Sequence, residues 1–152
     1  MPRRSHERQR LLATYGKFYS KHFFEKHPEE RYAGCYYCGE LCDNKDHVPP
    51  LNWIESQRVA EWIKRGYELL LVKSCASCNS LLGDKPLFTL ADRAQHVAEE
   101  LEKKYERDSA LWSNEEIKEM SPLFQRMIRA RKEAVQGLLR RIRHSQWRAI
   151  NP

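Results

Sequence analysis

The sequence predicts a small α+β fold, a region of short strands and cysteine knuckles held between helices at both ends. Three observations predict it. Four of the five cysteines form two Cys-x-x-Cys pairs, Cys35/Cys38 and Cys75/Cys78, set around short segments of strand-like composition. Apolar residues recur at helical intervals between residues 3 and 31 and again from Leu90 onward. Between these stretches, Pro49-Pro50, Gly66, Gly83 and Pro86 break the chain into brief elements. At 152 residues, 41% apolar and 32% charged, the chain suits one compact unit with an extension, whose modest core needs further support.

Taken in order, Leu11, Leu12, Tyr15, Phe18 and Tyr19 predict a first helix that ends before Pro28. Tyr32 to Lys45 is glycine-punctuated and cysteine-bearing, as a knuckle and a strand require. Trp53, Ile54, Val59, Ala60, Trp62 and Ile63 predict a helix from Trp53 to Arg65, stopped by Gly66. Glu68 to Val72 reads as a Leu-rich strand, and a brief helical turn follows the second cysteine pair. Thr89 with Asp92, and Ser113 with Glu116, are capping signals for two further helices. Ser121-Pro122 opens the last, with Phe124, Met127, Ile128, Val135, Leu138, Leu139 and Ile142 as its apolar stripe.

No apolar run approaches the length of a membrane span, and the Met1-Pro-Arg-Arg start lacks the apolar stretch of a secretory signal. A cytoplasmic protein without a membrane partner is expected. The net charge of +6 is unevenly placed: from Met120 to Pro152 eight Lys+Arg face one acid, giving +7, so residues 1–119 carry 19 minus 20, or −1. The positive field belongs to the C-terminal tail.

An odd cysteine count with two paired spacings, in a reducing compartment, favours metal over disulfide. Zinc prefers four ligands in a tetrahedron, and two residues between cysteines let both sulfurs of a knuckle reach one ion. Cys35, Cys38, Cys75 and Cys78 are thus expected to share a structural Zn²⁺. Gly39 suits the tight turn after Cys38, and Asn79 takes the equivalent place after Cys78 as the next most tolerant residue for a left-handed turn. Cys42 is either a competing ligand or a buried free thiol.

Between the knuckles lies Lys45-Asp46-His47-Val48-Pro49-Pro50, and the second knuckle runs on as Cys75-Ala76-Ser77-Cys78-Asn79-Ser80-Leu81-Leu82-Gly83-Asp84-Lys85. This succession resembles the zinc-containing HNH endonucleases, many of them phage- or mobile-element-encoded, over roughly a third of the chain. The resemblance implies a ββα-metal core with two zinc knuckles over 32–88, between an N-terminal helical extension, 1–31, and a helical C-terminal extension with a basic tail, 89–152. It implies Asp46 and Asn79 as ligands of a catalytic Mg²⁺ or Mn²⁺, and His47 as general base. The chemistry asks for the same types, since a neutral imidazole takes a proton from water near pH 7 and hard oxygen ligands suit these ions. The family's middle Asn, which orients the base, has no counterpart in Gly66 to Val72. Either Glu68 or a backbone carbonyl replaces it, or the site is degenerate.

The implied function is metal-dependent hydrolysis of phosphodiester bonds in DNA. Lys73 and Lys85 flank the second knuckle and are expected to touch the scissile backbone. Arg140 and Arg141 belong to the basic tail, whose charge serves either phosphate binding or an ordinary solvated helix face. A cutter of both strands needs two sites, hence a homodimer through the C-terminal helices, although the apolar stripe there equally suits an intramolecular core. The alternative is a zinc-knuckle nucleic-acid-binding or scaffold protein that kept the fold and lost the chemistry.

Overall fold

The computed structural model describes residues 2–21, 34–108 and 112–152. The first helix, α1, spans Pro2–Tyr15, followed by a single 3₁₀ turn at Gly16–Phe18 and the two-residue strand β1, Ser20–Lys21. It is shorter than its periodicity predicts; the remainder, residues 22–33, lies outside the described residues. The chain turns extended at Tyr19, which is thereby buried and donates its hydroxyl to Pro49 O at 2.7 Å.

Strand β2 covers Lys45–Val48 and β3 covers Leu70–Lys73, slightly later than predicted. They pair antiparallel with Asp46 opposite Val72 and His47 opposite Leu71, while β1 lies parallel to β3 on its other side. Between the strands, two short helices, α2 (Leu51–Ile54) and α3 (Val59–Lys64), replace the single predicted helix. Ser56 causes the break: its N–H and its hydroxyl both turn back to Trp53 O, at 3.0 and 2.6 Å, a local closure that competes with the helical ladder. The bend lets Ile54 and Trp62 both reach the interior, and Gly66, at φ +85°, ends α3's turn as expected.

The C-terminal elements follow their caps. Helix α4 is Ala76–Leu82, α5 is Leu90–Asp108, α6 is Asn114–Lys118 and α7 is Pro122–Ile150. Thr89 Oγ1 accepts from Asp92 N at 3.1 Å, Ser113 and Glu116 form a full capping box, and Ser121 accepts from Phe124 N. Ile128, Val135, Leu138 and Ile142 are buried, but Phe124 and Met127, counted in the same stripe, are exposed, so burial along α7 sets in only past its first turn.

The sheet separates two apolar clusters by its period-two alternation. Leu70 and Val72 of β3 join Val48, the four paired cysteines, Leu90, Val97 and Leu101 of α5, and Leu138 and Ile142 of α7. Leu69 and Leu71 face the other way, onto Leu11, Tyr19, Leu51, Ile54 and Trp62. On β2 the same alternation turns Asp46 toward the first cluster, with Val48, and His47 toward the second, beside Tyr19. Among the described residues no helix is long and apolar enough to cross a membrane.

Candidate metal centre and adjoining cleft

The first knuckle is built by backbone hydrogen bonds that curl residues 35–40 onto themselves. Gly39 N donates to Cys35 O at 2.9 Å, Cys35 N donates to Glu40 O at 2.6 Å, and Tyr36 N ties the knuckle to Lys73 O of β3 at 2.8 Å. Gly39 sits at φ +79°, a conformation that favours glycine, and a Cβ there would crowd the His144 ring at 3.3 Å. In the second knuckle Cys75 is the N-cap of α4, its sulfur accepting from Cys78 N at 3.4 Å. Asn79 is helical and donates its N–H to Cys75 O at 2.9 Å. The left-handed turn expected there is not formed, because α4 itself carries the chain away from the knuckle and no non-glycine described residue has positive φ.

All four paired cysteines are buried free thiols whose sulfurs lie within 4.8 Å of one another, with Cys38 and Cys75 at 3.7 Å. A tetrahedron of thiolates about 2.3 Å from zinc has sulfur–sulfur edges of about 3.8 Å, so the donor set fits a structural Zn²⁺ in kind, number and spacing. Hydrogen bonds with Cys38 and Cys78 pull the Cys35 thiol down to about 4, and hydrogen bonds with Cys35 and Cys38 push the Cys78 thiol up. Cys42 lies outside this group; it is partly buried, and burial with the Cys35 and Cys75 charges pushes its thiol to about 11.

Beside the centre a cleft of about 550 Å³ is lined by Asp46, His47 and Asn79 together with Arg8, Lys45 and Asp84. The fold thus brings the three residues of the sequence motif to one wall, with different freedoms. Burial, reinforced by the Arg8 and Lys45 charges, pulls the His47 imidazole down to about 4, so it is a neutral acceptor near pH 7. Its ring packs edge-on against Tyr19 at 4.9 Å between centroids. Glu68, considered as its orienting partner, is exposed and not among the residues lining the cleft.

The Asp46 carboxylate is already engaged. Arg93 donates Nε to Oδ2 and Nη2 to Oδ1, both at 2.8 Å, and the Tyr37 hydroxyl donates to Oδ2 at 2.6 Å. These take three of about four lone-pair positions, leaving one on Oδ1 among the described residues. Burial and the carboxylate beside it push the Tyr37 phenol well above its usual range, which keeps it a donor. Arg93, whose side chain is 1% exposed, stands outside the sequence motif. Its signal is its place: it falls three residues after Leu90 and four before Val97, on the buried stripe of α5, where a charge needs a partner.

The expected phosphate contacts are dispersed. Lys73 closes β3 half-buried, and Lys85 donates to Leu81 O at 2.6 Å at the end of α4. Arg140 is exposed on α7, whereas Arg141 turns inward and donates to Ser77 Oγ at 3.0 Å. The basic groups lining the cleft are instead Arg8 and Lys45. Arg8 comes from α1, remote in sequence, and no local pattern links it to the motif.

Comparisons with known protein families, with curated proteins and with solved structures find no match. Fold and site therefore define the class on their own: a mixed α+β chain with a four-cysteine cluster of metal-binding geometry.

Proposed function

We propose that the protein is a metal-dependent endonuclease of HNH type acting on DNA, with the four cysteines holding a structural zinc. The observation that carries this reading is the meeting of Asp46, His47 and Asn79 in one cleft beside the four sulfurs. The succession β2, β3, α4 supports a ββα-metal core, since it carries Asp46 and His47 on a strand and Asn79 on the helix that follows. A Mg²⁺ or Mn²⁺ ion bound there would supply charge stabilisation at the scissile phosphate and the leaving oxygen. Asp46, through the remaining position on Oδ1, and Asn79, through its amide oxygen, are the residues to hold it. Arg93 and Tyr37 fix the rotation of the Asp46 carboxylate, as outer partners of a ligating carboxylate do. His47 accepts the proton of the attacking water, and Arg8 and Lys45 attract the phosphate.

Plasmid nicking with and without Mg²⁺ or Mn²⁺ tests the reading. His47→Ala should lose about 10²–10⁴ in rate while retaining zinc and fold. Asp46→Ala and Asn79→Ala should be partly rescued by excess Mn²⁺. Cleavage at the wild-type rate by His47→Ala protein refutes the mechanism.

One observation favours a second reading, a zinc scaffold that binds nucleic acid without cutting it: the guanidinium bonded to Asp46 competes with a cation for the same carboxylate. Metal-independent binding of a DNA duplex that is never nicked, by protein carrying one zinc, would decide for it.

A further inference from the structure

Helix α7 closes on the metal centre from the far end of the chain. Ser145 Oγ donates to Tyr37 O at 2.7 Å, His144 Nε2 lies 3.1 Å from Tyr36 O, and the His144 ring covers Gly39. One turn earlier, Arg141 donates Nη2 to Ser77, the residue between Ala76 and Cys78 of the second knuckle. Arg141, Ser77 and Cys75 line one groove, and the Arg141 Nε is buried with no hydrogen-bond acceptor among the described residues. A buried N–H in that state calls for a source of negative charge close by. The four-cysteine cluster is the group in reach: Ser77, to which Arg141 donates, directly precedes Cys78, and Cys75 lines the same groove.

Four thiolates around a divalent ion carry a net charge of −2, and a half-buried cation beside them offsets part of it. We propose that Arg141 is a positioning residue of the four-cysteine centre, so that metal capture and the seating of the C-terminal half of α7 are one coupled event. This inference rests on the reading of the cysteines as a metal site, and it removes Arg141 from the nucleic-acid contacts expected of the basic tail. Coupling of this kind is reciprocal: whatever factor the seated helix adds to metal affinity, the metal adds to seating of the helix.

The test uses the full chain. Zn²⁺ affinity is measured by competition with a chromophoric chelator for wild type, Arg141→Met and Arg141→Lys. Arg141→Met keeps an apolar stem and removes the charge, and should bind Zn²⁺ about 10–100-fold more weakly, the usual effect of losing an outer partner. Arg141→Lys should recover part of that loss. In Co²⁺-loaded protein the sulfur-to-metal charge-transfer band should shift in Arg141→Met, which loss of packing alone would not cause. Independently of any variant, chelation of wild type should raise amide hydrogen exchange at residues 138–150 more than at 122–135. Affinity for Arg141→Met within about twofold of wild type, or exchange at 138–150 indifferent to chelation, overturns the coupling. Wild type that takes up no Zn²⁺ overturns it together with the metal reading beneath.

Discussion

The Arg93–Asp46 pair offers a sharp test of how this core is held. Its side chains are 1% and 11% exposed, joined by two hydrogen bonds of 2.8 Å, with Tyr37 adding a third to the carboxylate. Among the described residues, Arg93→Met leaves a buried carboxylate with Tyr37 as its remaining partner, and Asp46→Leu leaves a buried guanidinium that keeps Leu87 O as acceptor at 3.2 Å. Removing one member of such a pair costs about 3–5 kcal/mol, against a total domain stability of about 5–15 kcal/mol. The double variant exchanges the pair for apolar volume, and its chief cost is the Tyr37 hydroxyl left without its acceptor, about 1–3 kcal/mol. Urea titration of zinc-loaded protein at pH 7 should therefore show two large single effects and a double effect well below their sum. The expected coupling is at least about 2 kcal/mol. At the usual scaling for a chain of this length, each single variant should also lower Tm by roughly 6–20 °C. Single costs under about 1 kcal/mol, or costs that simply add, would refute the claim that the pair is buried and mutually compensated.

Three further outcomes are expected. Alkylation followed by mass measurement should label only Cys42 in the native protein and all five cysteines after chelation, since a zinc held by the four-cysteine cluster would contribute an amount comparable to the whole stability; one labelled thiol after exhaustive metal removal would contradict this. Burial holds the His47 imidazole at about 4 against the ordinary 6.5, so the unfolded chain binds a proton that the native state refuses. Stability from this source is full above pH 6.5 and is lost as pH falls from 6.5 to 4, by about 2 kcal/mol after discounting for the exposed part of the ring. His47→Leu should flatten that limb of a pH–stability curve, and an identical limb would exclude the assignment. Neutralising the exposed Arg126, Arg129, Arg140 and Arg143 to Gln should lower the log-log salt slope of duplex binding by about 0.9 for each phosphate that is no longer neutralised, and an unchanged slope would show that α7 faces no DNA.

What the sequence made legible is what neighbouring residues decide among themselves. Two residues between paired cysteines build a knuckle wherever it lies, and Thr89, Ser113 and Ser121 cap helices through bonds that span three residues. Ser56 could have been read the same way, but apolar spacing alone ran the helix through it. The remainder depended on partners far along the chain. Asp46 looked like a free ligand because Arg93 is 47 residues away, and Arg141 looked like tail charge because Ser77 is 64 residues away. Surface and interior arginines share a letter, and only the apolar stripe around Arg93 distinguished it.

The clamp of α7 on the first knuckle spans 108 residues, from Tyr36 and Tyr37 to His144 and Ser145. A growing chain emerges at about 5–20 residues per second, so Cys35 and Cys38 leave the ribosome roughly 5–20 s before the helix that covers them. Cys75 and Cys78 arrive well inside that interval. The nascent polypeptide thus passes through a stage in which all four sulfurs are present and the C-terminal cover is still being synthesised, and a metal ion taken up by them would have an open door before the last helix shuts it.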